Sequence, residues 1–347
     1  MILAAILCLQ AGDVFVSGQD GYHTFRIPSA VVTAKGTVLA FCEGRVKSRS
    51  DTGDIDLVLR RSTDHGETWG PLQVVWNDGA HTCGNPCPVV DRDTGTIWLL
   101  LTHNLGEDVE SKIIDRTAKG TRTVWVTKST DDGASWSRPV EITKDVKKPE
   151  WTWIATGPGI GIQAKNGRLV VPCDHVEAET KKGGSHVIWS ADHGETWTLG
   201  GAITGGVNEC QVVERSDGSL LLNMRNYHTA ARELAVSSSA DGGATWSAVG
   251  HDAALVEPAC QGSILRASWE PSVILFSNPA DRKSRIRMTL RASRDEGATW
   301  TTVKEFGEAP AAYSCLTGLP DRTAGCLYET GVKSAYEKIV FARVPLD

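Results

Sequence analysis

Arg26 lies in Tyr22-His23-Thr24-Phe25-Arg26-Ile27-Pro28, a short β-prone run entered from an Asp20-Gly21 turn signal and closed by proline. A guanidinium among apolar neighbours is seldom buried unpaired. Arg26 therefore predicts an anion, either a carboxylate of the protein or the carboxylate of a ligand. Two distant segments repeat this setting: Asn223-Met224-Arg225-Asn226, and Ser284-Arg285-Ile286-Arg287-Met288, in which Arg287 rivals Arg285. Guanidiniums gathered in one low-dielectric site repel each other unless an anion joins them. A carboxylate gripped bidentately by one and flanked by two others satisfies the set. Glu43-Gly44-Arg45 followed by Asp51-Thr52-Gly53-Asp54 reads either as a solvated loop or as a mobile acid beside a cationic site. Asp54 and Asp56 are the alternatives to Asp51. Glu209 opens the apolar run Val207-Asn208-Glu209-Cys210-Gln211-Val212-Val213, where a lone glutamate is more often a strand end than a catalyst. Tyr313 stands among small residues in Ala311-Ala312-Tyr313-Ser314, ordinarily a core position.

Such scattered residues act together only if the chain brings distant segments to one place. Five octapeptides at residues 62–69, 129–136, 190–197, 239–246 and 293–300 share the pattern Ser-x-Asp-x-Gly-x-Ser/Thr-Trp, at intervals of 49 to 67 residues. Asp and Ser can bond nearby backbone N–H groups, Gly can take positive φ, and the closing Trp can plug an apolar gap. Each octapeptide therefore predicts a self-satisfied hairpin turn with a structural role. Gly-Arg-Leu-Val-Val at 167–171 and Gly-Ser-Leu-Leu-Leu at 218–222 read as typical strands, and no long helical period appears. One four-stranded unit per repeat implies an all-β propeller of about six blades, filling residues 1–347 as a single domain. Loops from every blade then meet on one axis. Residues 82–88 and 151–159 are expected as loops over a pocket there, where Trp151 and Trp153 read equally as core or edge packing or as aromatics that pack on a sugar or its N-acetyl group. Gly157-Pro-Gly-Ile-Gly161 is no nucleotide loop, since it lacks the third glycine and precedes a strand.

A hydrophobic content of 41% and a charged content of 22% suit a chain that buries a real core. A net charge of −6 gives no electrostatic case for nucleic acid or an anionic membrane. Nine cysteines over 347 residues predict mostly buried thiols, and Cys83 with Cys87 lacks a second pair at zinc-site distance. Residues 1–9 are apolar, too short to span a bilayer, and read equally as a signal-peptide remnant or a first strand.

Phe25-Arg26-Ile27-Pro28 resembles the Phe-Arg-Ile-Pro signature of the sialidases (neuraminidases), and the octapeptides resemble their Asp-boxes. The resemblance runs from Arg26 to Glu329 and implies a six-bladed β-propeller that acts on sialylated glycans. Carried onto the matching positions, it implies that Arg26, Arg225 and Arg285 grip the substrate carboxylate and that Arg45 contacts the substrate. It makes Asp51 the acid/base, Tyr313 the nucleophile, Glu209 its partner, and Glu329 the carboxylate that pairs with Arg26. A carboxylate nucleophile would meet the substrate's own carboxylate on the attacked carbon, whereas a neutral phenol avoids that repulsion. With a pKa of about 10, the phenol needs a base in reach. The implied reaction is hydrolysis of terminal α-linked sialic acid from glycoproteins, glycolipids or oligosaccharides, with retention through a covalent tyrosyl intermediate. No metal or cofactor is required, no stable membrane insertion is expected, and a secreted or periplasmic monomer fits. Trans-sialidases and intramolecular, anhydro-forming sialidases would keep this fold and site. A non-catalytic glycan-binding propeller would keep the fold and lose Tyr313, Glu209 or Asp51, all of which are present.

Overall fold

The computed structural model describes residues 11–227 and 232–346. The stretch 1–9, read as leader remnant or first strand, lies outside the described residues, as does Cys8. After β1 (Gly12–Val16), the chain forms six antiparallel blades. Blade 1 holds β2 (Thr24–Val32), β3 (Val38–Arg45), β4 (Ile55–Ser62) and β5 (Gln73–Trp76). Blade 2 holds β6 (Thr82–Val90), β7 (Ile97–Asn104), β8 (Thr123–Ser129) and β9 (Val140–Glu141), and a single parallel bridge from Ile55 to Thr82 links it to blade 1. Helices α1 (Glu110–Ile114) and α2 (Thr143–Val146) are one turn each. Blade 3 holds β10 (Trp151–Thr156), β11 (Ile162–Gln163), β12 (Leu169–Glu177), β13 (Gly183–Ser190) and β14 (Thr198–Thr204). Blade 4 comprises β15 (Val207–Glu214), β16 (Leu220–Asn226), β17 (Glu233–Ser239) and β18 (Gly250–Val256). Blade 5 comprises β19 (Ser263–Ser268), β20 (Val273–Pro279), β21 (Met288–Ser293) and β22 (Thr301–Glu305). Blade 6 takes β23 (Ala311–Gly318), β24 (Thr323–Thr330) and β25 (Lys338–Pro345) from the C-terminus and β1 from the N-terminus, with Gly12 opposite Phe341 and Val16 opposite Lys338. That pairing closes the ring and removes an open edge.

Residues 82–88 and 151–156, expected as loops, are inner strands β6 and β10. All eight cysteines from Cys42 to Cys326 are buried thiols, as the composition predicts.

Each octapeptide joins the third strand of a blade to its fourth. In the first, Ser62 Oγ donates to Asp64 Oδ1 (2.7 Å) and accepts from Gly66 N (2.8 Å), while Asp64 accepts from Thr68 N (2.9 Å) and Thr68 Oγ1. The same bonds recur in the other four. Gly66 is obligatory: its φ is +87°, and a Cβ there would lie 2.2 Å from Phe341. The closing tryptophans reach the preceding blade. Trp69 packs edge-on against Phe341, Trp136 against Phe41 and Trp197 against Trp98, while Trp246 Nε1 donates to Gly201 O and Trp300 Nε1 to Asp252. Five boxes serve six blades because blade 6 takes its fourth strand from the N-terminus and has no such turn.

The fourth residue of the box makes a second latch, onto the hairpin between the first two strands of the preceding blade. Asp132 accepts from Thr37 (2.6 Å), His193 lies 3.1 Å from Asp91, and Glu296 accepts from Ser216 Oγ (2.7 Å) and, within its own blade, from Ser272 and Arg266. Burial pushes the Glu296 carboxyl up, but Arg266, Ser272 and Ser216 outweigh it and hold it at about 2. A depressed carboxyl stabilises the fold above its unfolded pKa of about 4.5 and loses that contribution as pH falls through about 2. Glu296→Gln is therefore expected to cost about 2 kcal/mol at pH 7. Its melting temperature should approach that of the wild type as pH falls from 5 to 2. An equal gap at pH 7 and pH 2 would remove charge from the explanation.

Candidate active site

The inner strands β2, β6, β10, β15, β19 and β23 surround the axis, which is closed midway by satisfied polar contacts. Ser29 Oγ donates to Gly159 O (2.7 Å), Gln211 Nε2 to Pro158 O (3.0 Å) and Gln261 Nε2 to Ser314 O (3.0 Å). A larger cavity of about 570 Å³ lies at the strands' C-terminal ends, walled by Val31, Val89, Ile160, Val213 and Leu265. The opposite, N-terminal ends frame a polar cleft of about 380 Å³. It holds Arg26, Arg45, Asp51, Glu209, Arg225, Arg285 and Tyr313, seven of the eight candidates. The eighth, Glu329, is fully buried behind Arg26.

Bulges explain how strand residues come to face the axis. The register between first and second strands shifts between Arg26 and Ser29, between Val207 and Cys210, and between Ala311 and Ser314. Each shift falls beside a candidate, where an extra residue bends the strand and re-aims its side chains. Ile27 and Asn85 take positive φ (62° and 53°) in two such segments.

Glu329 organises one side. Its carboxylate accepts from Arg26 Nε (2.9 Å) and Nη2 (3.3 Å), Ile27 N (3.0 Å) and Tyr313 N (3.1 Å). The anion predicted for Arg26 is thus first a protein carboxylate. Arg225 Nη1 pairs with Glu209 Oε2 at 2.8 Å. Arg285 donates to Tyr336 Oη (3.0 Å) and Ala259 O (3.3 Å), and no carboxylate reaches ion-pair distance of it among the described residues. Of the three cations, this one lacks an anion. Arg285 lies in the loop that precedes β21. Arg287, its rival, points elsewhere, towards Glu308 (3.3 Å) and Glu305 (3.9 Å), outside the cleft lining.

Tyr313 Oη donates to Glu209 (Oε1 2.7 Å, Oε2 2.9 Å) and accepts from Arg225 Nη1 (3.1 Å). Burial, then Glu209, push the phenol well above its ordinary range, against Arg225 and Arg26. The resting group is a neutral phenol with a carboxylate positioned to take its proton. Asp51, on the loop between β3 and β4, meets Arg45 Nη2 at 2.7 Å and Arg26 Nη1 at 3.7 Å. Its side chain is 67% exposed. Partial burial raises its pKa, but Arg45 and then Arg26 outweigh this and leave it lowered. The alternatives lie apart: Asp56 accepts Tyr22 Oη at 2.6 Å, and Asp54 borders a neighbouring depression. Arg45 is itself fixed by Glu43 Oε2 (2.7 Å) and Arg49 O (2.6 Å).

Sequence reasoning missed several lining residues. Tyr336 stacks on Arg26 (4.2 Å) while its hydroxyl holds Arg285, and nothing in its spacing announces this. Asn85, Glu110, Arg122, Asp174, Asn208 and Tyr227 also line the cleft. Arg122 precedes β8 as Arg285 precedes β21, but it stands between Thr121 and Thr123, so the apolar setting that singled out Arg285 was missing. Trp153 lines the cleft as expected, whereas Trp151 is buried and stacked on His175 at 3.8 Å.

The chain matches the BNR repeat-like domain over residues 36–328. It is 35% identical over 359 residues to an exo-alpha-sialidase of Aspergillus fumigatus, covering 94% of this chain and 85% of that protein. It is 36% identical to a sialidase of Micromonospora viridifaciens across 93% of this chain but 52% of the longer relative. Among solved structures, the Hadza microbial sialidase Hz136 superposes with a TM-score of 0.87 at 32% identity, over 97% of this chain and 68% of that one.

Proposed function

This chain belongs to the sialidase family of BNR-repeat propellers, and from that premise we propose that it is a retaining exo-α-sialidase in which Tyr313 is the nucleophile. The observation that carries the reading is the Tyr313 hydroxyl held by both oxygens of Glu209 beneath Arg26, Arg225 and the carboxylate-free Arg285. The substrate carboxylate supplies the anion that Arg285 lacks and lies between the three guanidiniums, which fixes the sugar's orientation. Tyr313 Oη attacks the anomeric carbon and its proton passes to Glu209. The glycosidic C–O bond breaks, and its oxygen takes a proton from Asp51. Water, deprotonated by Asp51, then attacks the same carbon from the vacated face. Tyr313 leaves and recovers its proton from Glu209. Two displacements give net retention.

Among the described residues no helix is long and apolar enough to cross a membrane. Terminal sialic acids on glycoproteins, glycolipids and oligosaccharides are the substrates this site fits, and a secreted or periplasmic location belongs to the same reading. The direct test is hydrolysis of an α-sialoside followed by proton NMR. The α-anomer is expected first, with the β-anomer growing in by mutarotation. Early β-anomer would remove the tyrosyl intermediate.

A further inference from the structure

The carboxylate site and nucleophile draw on blades 1, 4, 5 and 6; the wall across the axis comes from blades 2 and 3. In a six-membered pyranose ring, C5 lies opposite the anomeric C2. A sugar with C2 over Tyr313 would therefore direct its C5 substituent at this wall, which Asn85, Arg122, Trp153 and Asp174 line. Resting on the sialidase reading above, we infer that this wall selects a nonulosonic acid carrying a hydroxyl, rather than an acetamido group, at C5.

Arg122 is 2% exposed yet lines the cleft. It donates through Nε and Nη2 to Thr102 Oγ1 (3.0 and 2.8 Å), through Nη2 to Asn85 Oδ1, and through Nη1 to Asn104 Oδ1 (3.2 Å). These four bonds use four of its five N–H groups. All the acceptors are neutral, and no carboxylate reaches ion-pair distance among the described residues. One Nη1 hydrogen remains for a ligand oxygen. Asp174 is buried beside it: Oδ2 accepts from Asn208 Nδ2 (2.8 Å), while Oδ1 has no partner. A hydroxyl both accepts and donates, so one C5 oxygen can serve Arg122 and Asp174 together. An acetamide also donates and accepts, through its N–H and C=O, but it adds a methyl group, and a methyl needs apolar surface. The large ring on this wall, Trp153, has the Arg122 guanidinium over its face at 4.1 Å. A methyl lodged here would displace a cation–π contact or strand buried polar atoms, a discrimination that a site built on hydrogen bonds makes strongly.

The test compares kcat/KM of the purified protein for two methylumbelliferyl α-glycosides that differ only at C5, acetamido against hydroxyl. The hydroxyl substrate is expected to be favoured at least tenfold. Arg122→Leu, which removes the donor and frees the Trp153 face, should lower that ratio at least tenfold, mainly through KM for the hydroxyl substrate. Because a buried arginine can be needed for folding, the wild-type ratio decides by itself. A preference below tenfold, or any preference for the acetamido substrate, overturns the inference and leaves the sialidase reading standing. Turnover of neither substrate overturns that reading, and the inference falls with it.

Discussion

Tyr313→Phe is expected to lower kcat for an alkyl-linked α-sialoside by about a hundredfold or more, while the melting temperature stays within a degree or two of the wild type. The substitution removes one oxygen from a ring packed on Ile27, Cys260, Ala312 and Ala335. It strands no charge, because Glu209 and Arg225 remain paired directly at 2.8 Å. The variant therefore separates chemistry from folding, which the buried arginines do not. A 2,3-difluoro sialic acid adds a second readout. Attack by Tyr313 at C2 expels fluoride, and the remaining fluorine slows hydrolysis of the adduct. Intact-mass measurement should show one glycosyl adduct on the wild type, mapping to the peptide that contains Tyr313, and none on Tyr313→Phe. Full activity in the variant, or an adduct elsewhere, would require another nucleophile.

The same residues show how far the sequence carried the structure. The boxes were legible because their mechanism is local: Ser, Asp and Gly satisfy one turn among themselves, so the pattern survives without knowledge of its neighbours. Their count of five follows from the ring closure, a contact between residues more than 300 positions apart that no local pattern encodes. Residues 82–88 were misread for a physical reason. Gly84, Asn85 and Pro86 are turn signals, and here they mark a bulge in a buried inner strand that aims Asn85 at the axis. Arg26, Arg225 and Arg285 were legible as cations in apolar company. Arg122 stands between Thr121 and Thr123, without that apolar company, and its partners Asn85, Thr102 and Asn104 are uncharged and give no complementary signal. Tyr336 was not legible at all: its role comes from lying over Arg26, six residues beyond the end of β24.

Asp51→Asn should separate leaving groups rather than abolish all turnover. An alkyl aglycone departs only with a proton, so an alkyl-linked substrate is expected to lose about a thousandfold or more in kcat/KM. A methylumbelliferyl aglycone leaves almost unaided and should lose about tenfold. The pH profile carries the electrostatic half of the argument. Asp51 must be protonated to act as the acid, yet in the free protein Arg45 and Arg26 hold its carboxyl below the usual range despite partial burial. When the substrate carboxylate settles on Arg26, part of that stabilisation of the anion is withdrawn, and the aglycone covers an otherwise exposed side chain. Both changes raise the pKa. The basic limb of kcat, which reports the bound state, is therefore expected at higher pH than the basic limb of kcat/KM, which reports the free protein. Asp51→Asn should erase both limbs. Equal losses on the two aglycones, or the same pattern from Asp54→Asn, would transfer the acid role away from Asp51. The loop between β3 and β4 would then keep only the task of holding Arg45 and Arg49 against the cleft.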